Sequence, residues 1–168
     1  ADGMVLNLSE VKHAIRSEVT EALDFRFLNE AWPEFDVTRP EGCLPTTEAL
    51  VRVIWHRLSA HLPLVALRLY ESPGLWADYL GHGMDAYLTL RTHFAAAHRL
   101  ARPELSQEEN ERIYGKCARP HGHGHNYLVE VTVRGSIDPR TGMVCDLAAL
   151  QSLLDDLVVE PFDHTFLN

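Results

Sequence analysis

The sequence predicts an α+β fold: an antiparallel sheet of four strands with helices packed on one face, in the order α-α-β-β-β-β-α. Three observations carry that expectation. Apolar residues recur at helical spacing in three windows, near 8–22, 46–58 and 146–159. Residues 85–98 and 125–134 read as two long strands, the second alternating cleanly between apolar and polar side chains. Strand-like runs also follow one another across short turns, which favours antiparallel pairing.

Each element has a local cause. Leu8, Val11, Ile15 and Val19 give the first helix, about 8–22, its apolar stripe. Residues 30–45 carry Pro33, Pro40 and Pro45 and read as a loop. Thr46 or Thr47 can cap a second helix, with Glu48 favourable in its first turn. Leu50, Val53, Ile54 and Leu58 form its buried stripe, and Pro63 follows its end. Val65–Tyr70 reads as a strand, Pro73–Gly74 as a turn and Trp76–Leu80 as a short strand. Gly81-His82-Gly83 reads as a plain flexible linker. After the strand 85–98, residues 101–116 read as a polar loop with a helical turn at Ser106-Gln-Glu-Glu. A turn at Asp138–Gly142 follows the strand 125–134. The last helix, about 146–159, buries Leu147, Leu150, Leu154 and Leu157.

Composition excludes several classes. The chain has 168 residues, 46% hydrophobic and 23% charged, which suits one domain with a real core. No apolar run is long enough to span a bilayer, and no signal peptide opens the sequence. Three widely spaced cysteines, Cys43, Cys117 and Cys145, argue against a disulfide scaffold and for a reducing compartment, so the expected location is cytoplasmic. Cys43 and Cys145 are read as space-filling or loop residues. A net charge of −9 argues against nucleic acid as a partner, which calls for clustered Lys and Arg. An anionic substrate would need a local basic patch. Arg91, Arg99, Lys116 and Arg119 are its candidates, against the plainer reading that each is a solvated surface charge.

The chemistry concentrates in Cys117-Ala-Arg-Pro-His121-Gly-His123-Gly-His125-Asn126-Tyr127, which leads into the strand. Side chains two apart on a strand share a face, so His123 and His125 point the same way and can hold one metal. Gly122 and Gly124 leave the opposite face bare. Cys117 supplies a possible acid, base or nucleophile beside that metal. His98, closing the run Phe94-Ala-Ala-Ala-His98, is the candidate third ligand, against a plain strand-end histidine. The HxH spacing alone is weak evidence.

Further motifs add weight. Glu108-Glu-Asn110, Tyr114-Gly-Lys-Cys117, His123-Gly-His-Asn-Tyr127, Asp138-Pro-Arg-Thr-Gly-Met143 and Phe162-Asp-His-Thr-Phe-Leu-Asn168 occur in order behind Phe94–Leu100. In these motifs the chain resembles the 6-pyruvoyl-tetrahydropterin synthase family, which includes the bacterial 6-carboxy-tetrahydropterin synthases. The resemblance covers nearly all of residues 85–168. It implies zinc bound by His98, His123 and His125, Cys117 as catalytic base, and Asp163 with His164 completing a Cys-His-Asp relay. It also implies the tunnelling fold, whose β, β, α, α, β, β order this chain would carry as a circular shift with one helix repeated.

The first half of the sequence repeats part of the second. Gly3-Met-Val-Leu-Asn-Leu8 reads like Gly142-Met-Val-Cys-Asp-Leu147, and Leu23-Asp-Phe-Arg-Phe-Leu-Asn29 like Phe162-Asp-His-Thr-Phe-Leu-Asn168. Both pairs share one offset of 139 residues, and 10 of the 27 aligned positions are identical. Residues 1–81 thus resemble the back half of a family domain, with 82–168 the front half of a second. Either the chain is a piece of a tandem or it folds as a permuted single domain. In the first half, Glu71 matches the glutamate that anchors the pterin in the family, and Thr46 and Thr47 match positions lining that pocket. A carboxylate suits the task because it accepts two hydrogen bonds from one ring edge. Without the resemblance, Glu71 reads as an exposed strand-end acid. Phe25 stands where His164 stands in the other copy and cannot relay a proton.

The resemblance implies a carbon–oxygen lyase acting on 7,8-dihydroneopterin triphosphate with loss of triphosphate, in a homo-oligomer whose active sites form at module or subunit contacts. The 6-carboxy-tetrahydropterin (queuosine-pathway) reaction on the same substrate is the alternative. A catalytically silent pterin-binding or assembly module and an unrelated zinc hydrolase are alternatives of other classes. No HExxH-type motif supports the last.

Overall fold

A computed structural model describes residue 3 and residues 5–168. The turn expected at Gly3-Met4-Val5 includes Met4, which lies outside the described residues. Five strands form one sheet. β1 (Leu67–Ser72), β2 (Leu75–Tyr79), β3 (Asp85–His98) and β4 (His123–Ser136) pair in sequence order, and the short β5 (Thr165–Phe166) pairs with β3. β1–β2 and β2–β3 are antiparallel, as expected. β5 is parallel to β3, with Ala96 opposite Thr165 and Ala97 opposite Phe166.

The chain divides into two compact units. The first comprises residues 1–90 and 132–146, the second 91–131 and 147–168. In the first, α1 (Leu8–Ile15) and α4 (Thr47–Leu58) share a core. Ala14 of α1 packs in one cluster with Trp32, Phe35, Ala49, Val53, Ile54 and Leu58. Leu67 and Leu69, alternate residues of β1, pack on that cluster, so α4 covers one face of the sheet. The expected caps are present: Asn7 accepts the Ser9 N–H and Thr46 the Ala49 N–H.

Glu48 is buried, yet its carboxylate accepts the Val144 N–H at 3.1 Å. The Thr46 hydroxyl donates to the Gly142 carbonyl. Together they pin the 138–146 turn on the start of α4.

Three local expectations change. The segment 30–45 is not wholly loop: α3 (Leu28–Ala31) leads into a 3-10 turn at Pro33–Phe35, whose Phe35 is fully buried. Residues 81–83 form a packed turn rather than a flexible linker. Gly81 has φ +80°, and a Cβ there would lie 2.7 Å from the Trp55 ring. The Gly83 carbonyl accepts from Tyr79 Oη and Arg52 Nε. The polar stretch after β3 contains a full helix, α5 (Gln107–Tyr114), started by a capping box between Ser106 and Glu109.

The helix of the second unit, α6 (Leu147–Leu154), runs through a π-helical segment at 155–159 into α7 (Glu160–Phe162). In the first unit, α1 runs through a π-helical segment at 16–20 into α2 (Glu21–Leu23). Every boundary recurs at the 139-residue offset of the sequence repeat. Phe25 and His164 are both left-handed, at φ 55° and 56°, as are Gly3 and Gly142, at 74° and 73°. Among the described residues no helix is long and apolar enough to cross a membrane.

Candidate active site

Three imidazoles meet in the second unit. His98 ends β3, and His123 and His125 begin β4. The i, i+2 spacing does what strand geometry requires: the rings of His123 and His125 lie 4.6 Å apart by centroid, and His98 lies 4.7 and 5.1 Å from them. One ligand nitrogen from each fits within 4.8 Å of the others. Tyr127, two residues on, stacks on Phe94 of β3 at 4.9 Å and sits 5.8 Å from the His125 ring.

A turn makes this entry possible. Gly122 has φ +66°, and a Cβ there would lie 2.6 Å from the His98 carbonyl oxygen and 2.8 Å from the Phe166 ring. A side chain at this position would push His123 away from His98.

The donor set fits zinc. Structural and catalytic zinc sites use neutral imidazoles at about 2.0–2.1 Å, which places two ligand nitrogens about 3.3–3.4 Å apart on a tetrahedron. His98 Nε2 and His123 Nε2 are 3.3 Å apart. Burial, with the two neighbouring imidazoles added, holds His123 below its ordinary pKa, so it presents a lone pair at neutral pH. Its buried Nδ1 has no protein partner. Three histidine ligands leave a coordination position open, the pattern of a catalytic site.

The Asp163–His164 pair is formed. Asp163 accepts the Ala95 N–H at 2.7 Å with one oxygen and faces His164 Nδ1 at 2.8 Å with the other. The Ala95 amide, then His164, hold its carboxyl below the usual carboxylate range. Further clasps fix the segment to β3: His164 N–H to the Ala95 carbonyl, Leu167 N–H to that of Ala97, and Arg99 N–H to Asn168 Oδ1. His164 and His125 line the same cleft, of about 390 Å³, with Ala96 and Gly124.

Cys117 is half-buried on a 3-10 turn (Gly115–Ala118), its carbonyl accepting the Leu100 N–H. Among the described residues no hydrogen bond joins it to His164. Arg99 and Gln107, neither of them read as a positioning residue, both donate to the Ala118 carbonyl beside it, at 3.1 and 3.2 Å. Buried Asn110 holds residues 102–106 through four hydrogen bonds. Its only sequence signal was its place in the Glu-Glu-Asn motif. Arg99 also bonds Gln107 Oε1, and Arg91 pairs with Glu130 at 2.7 Å, so two of the four cations near the metal motifs have protein partners.

The remaining candidates lie in the first unit. Glu71 is exposed near the end of β1 and accepts a hydrogen bond from the buried Thr47 hydroxyl. The Thr46 hydroxyl is engaged by the Ala49 amide and the Gly142 carbonyl.

Comparison with known proteins gives these motifs a context. A 6-pyruvoyl tetrahydrobiopterin synthase of Poecilia reticulata is 54% identical over 78 residues, 46% of this chain and 53% of that protein. The Homo sapiens protein of that name is 49% identical over 84 residues, 50% of this chain and 58% of its own. A solved structure of the Caenorhabditis elegans 6-pyruvoyl tetrahydropterin synthase aligns with TM-score 0.46 at 43% identity, covering 49% of this chain and 59% of that one. The chain thus spans about half the length of the curated relatives it matches. The family described as 6-pyruvoyl tetrahydropterin synthase matches residues 1–82 and again residues 87–168, and the chain belongs to that family.

Proposed function

We propose that the second unit carries the catalytic half of a zinc-dependent 6-pyruvoyl-tetrahydropterin synthase-type lyase acting on 7,8-dihydroneopterin triphosphate. The observation that carries this reading is the three-imidazole cluster beside a formed Asp-His pair that shares its cleft. His98, His123 and His125 would hold the metal. A zinc ion there supplies Lewis acidity toward substrate hydroxyls and the C–H bonds beside them.

The chain's own groups then divide the proton work. Cys117, as thiolate, takes a proton from the substrate side chain. His164 keeps Nδ1 on Asp163 and leaves Nε2 to carry protons to and from the reacting carbons. Asp163 orients the ring through that bond. Proton removal and return let triphosphate leave and the side chain tautomerise to the pyruvoyl product. Glu71, set by Thr47, is the proposed anchor for the amino edge of the pterin, with Thr46 shaping the start of α4.

The motif wording and the 49–54% identity to pyruvoyl synthases favour the pyruvoyl branch over the carboxy branch. The domain reading that accompanies this function is a tandem, with 1–81 the back half of one module and 82–168 the front half of the next. The two family matches and the shared helix geometry support it. A homo-oligomer with sites at module or subunit contacts, in the cytoplasm, belongs to the same proposal.

Product identification by mass tests it. With zinc and 7,8-dihydroneopterin triphosphate, the chain should give 6-pyruvoyl-tetrahydropterin, and Cys117→Ala should not. A carboxy product would move the chain to the other branch. No turnover with zinc and pterin still bound would make it a silent binding module.

A further inference from the structure

The two copies of the repeat differ in what lies against them. Asp163–Asn168 is clasped at four points on one edge by β3 and by Arg99 just past its end. Residue 95 gives an N–H to Asp163 and a carbonyl to the His164 amide, residue 97 a carbonyl to the Leu167 amide, and residue 99 an N–H to Asn168. Residues 95, 97 and 99 present their backbone groups on the same edge because strands alternate. The small side chains of Ala95–Ala97 let the segment lie close.

Asp24–Asn29 repeats this device without its strand. Four of its six residues are the same, namely Asp24, Phe27, Leu28 and Asn29. The start of its backbone is already set: Asp24 lies at φ −62°, ψ 126° against −66°, 134° for Asp163, and Phe25 is left-handed as His164 is; the two copies part at Leu28 and Asn29, which open α3, whereas Leu167 and Asn168 are not helical. The helix before it closes in the same way, with Asp24 N–H on Thr20 O as Asp163 N–H is on Val159 O. Among the described residues, neither the Asp24 carboxylate nor the Asn29 amide has a side-chain partner. Phe25 is 100% exposed and Phe27 67% exposed. A left-handed phenylalanine held fully in water is costly for a solitary turn, and ordinary for one half of an interface.

We propose that Asp24–Asn29, preformed at Asp24 and Phe25 and completed when Leu28 and Asn29 leave the first turn of α3, is a docking site for an extended strand of the Phe94–Arg99 type, supplied by a polypeptide segment other than this chain. The recognition chemistry is a strand edge offering N–H and C=O at one residue, C=O two residues on and N–H four residues on, with small side chains between. A second copy of this chain does not suit, because in each copy that edge of β3 is already filled by its own residues 163–168. The proposal is independent of catalysis, since Phe25 cannot act in a relay whichever strand arrives.

The test uses the full chain, labelled with nitrogen-15, and a peptide with the sequence of residues 91–101, capped at both ends. Bound peptide should shift the amide signals of residues 24–29 and slow exchange of the Phe25 and Leu28 amides, the counterparts of His164 and Leu167. Asp24→Ala, at an exposed position where folding is unaffected, should weaken binding roughly tenfold, as loss of a charge-assisted hydrogen bond does. Asp163→Ala should leave peptide binding at 24–29 unchanged. Four results overturn the proposal: no shift at 24–29 at millimolar peptide, shifts at 163–168 instead, binding indifferent to Asp24→Ala, or the same shifts on concentrating the chain alone. The last would assign the site to a second copy.

Discussion

Residues 142–168 and residues 3–29 share a left-handed glycine, a helix interrupted by a π-helical segment at the same place, and a left-handed residue after it. In the later copy that residue is His164, and the turn is fastened to β3, whose last residue, His98, belongs to the three-imidazole cluster. In the earlier copy it is Phe25, fully exposed. The backbone of the device therefore comes from its own local sequence, while its chemistry comes from one side chain and from the strand it meets. A helix and turn this alike carry an Asp-His pair in one place and an open surface in the other.

The largest effects should come from the imidazoles. His98→Ala or His123→Ala should lower zinc affinity by more than about 100-fold, read as metal content after dialysis, because either change removes a ligand outright. Among the described residues His98, His123 and His125 are the one group of three side chains placed to share a metal, so zinc should bind at one equivalent per chain. Cys117→Ala should leave that zinc in place and cut turnover by about 10²–10⁴-fold, the range for a lost proton-transfer group.

Gly122→Ala comes next. Its Cβ would meet the His98 carbonyl at 2.6 Å in a left-handed backbone, so it should destabilise the chain by about 1–3 kcal/mol and weaken zinc binding together. Gly81→Ala should cost a similar amount in a melting experiment and leave zinc affinity unchanged, since its obstacle is Trp55.

Acid should unfasten the later turn. Asp163 is held below the usual carboxylate range by the Ala95 amide and by His164. An unfolded Asp titrates near about 3.9, so the contribution of Asp163 to stability is complete above that pH. It is lost as pH falls through the lower folded value. Hydrogen exchange at the Ala95 amide should speed up over that window. The smallest effect belongs to Phe25→His: it restores the residue pair of the later copy but not the strand, so it should leave turnover unchanged and stability within about 0.5 kcal/mol.

Much of this was legible in the sequence, for identifiable reasons. β3 was read at its observed limits, 85–98, and the i, i+2 histidines followed from strand geometry alone. The repeat was visible because 10 of 27 positions are identical at one ungapped offset. The pairing of Asp163 with His164 came from family resemblance, since adjacent residues on a strand would point apart. It works because His164 is left-handed. Strand β5 escaped because two residues carry no periodicity. Helix α5 escaped because its residues are nearly all polar, although its capping box was in view. Buried Glu48 was read as a first-turn charge, because its partner, the Val144 amide, lies 96 residues away.

The most direct measurement on the central contrast is to make the later copy resemble the earlier one. His164→Phe should keep one zinc per chain and abolish conversion of 7,8-dihydroneopterin triphosphate. Turnover at the wild-type rate in His164→Phe, or a second zinc bound by the unaltered chain, would contradict the assignment of the chemistry to the later copy.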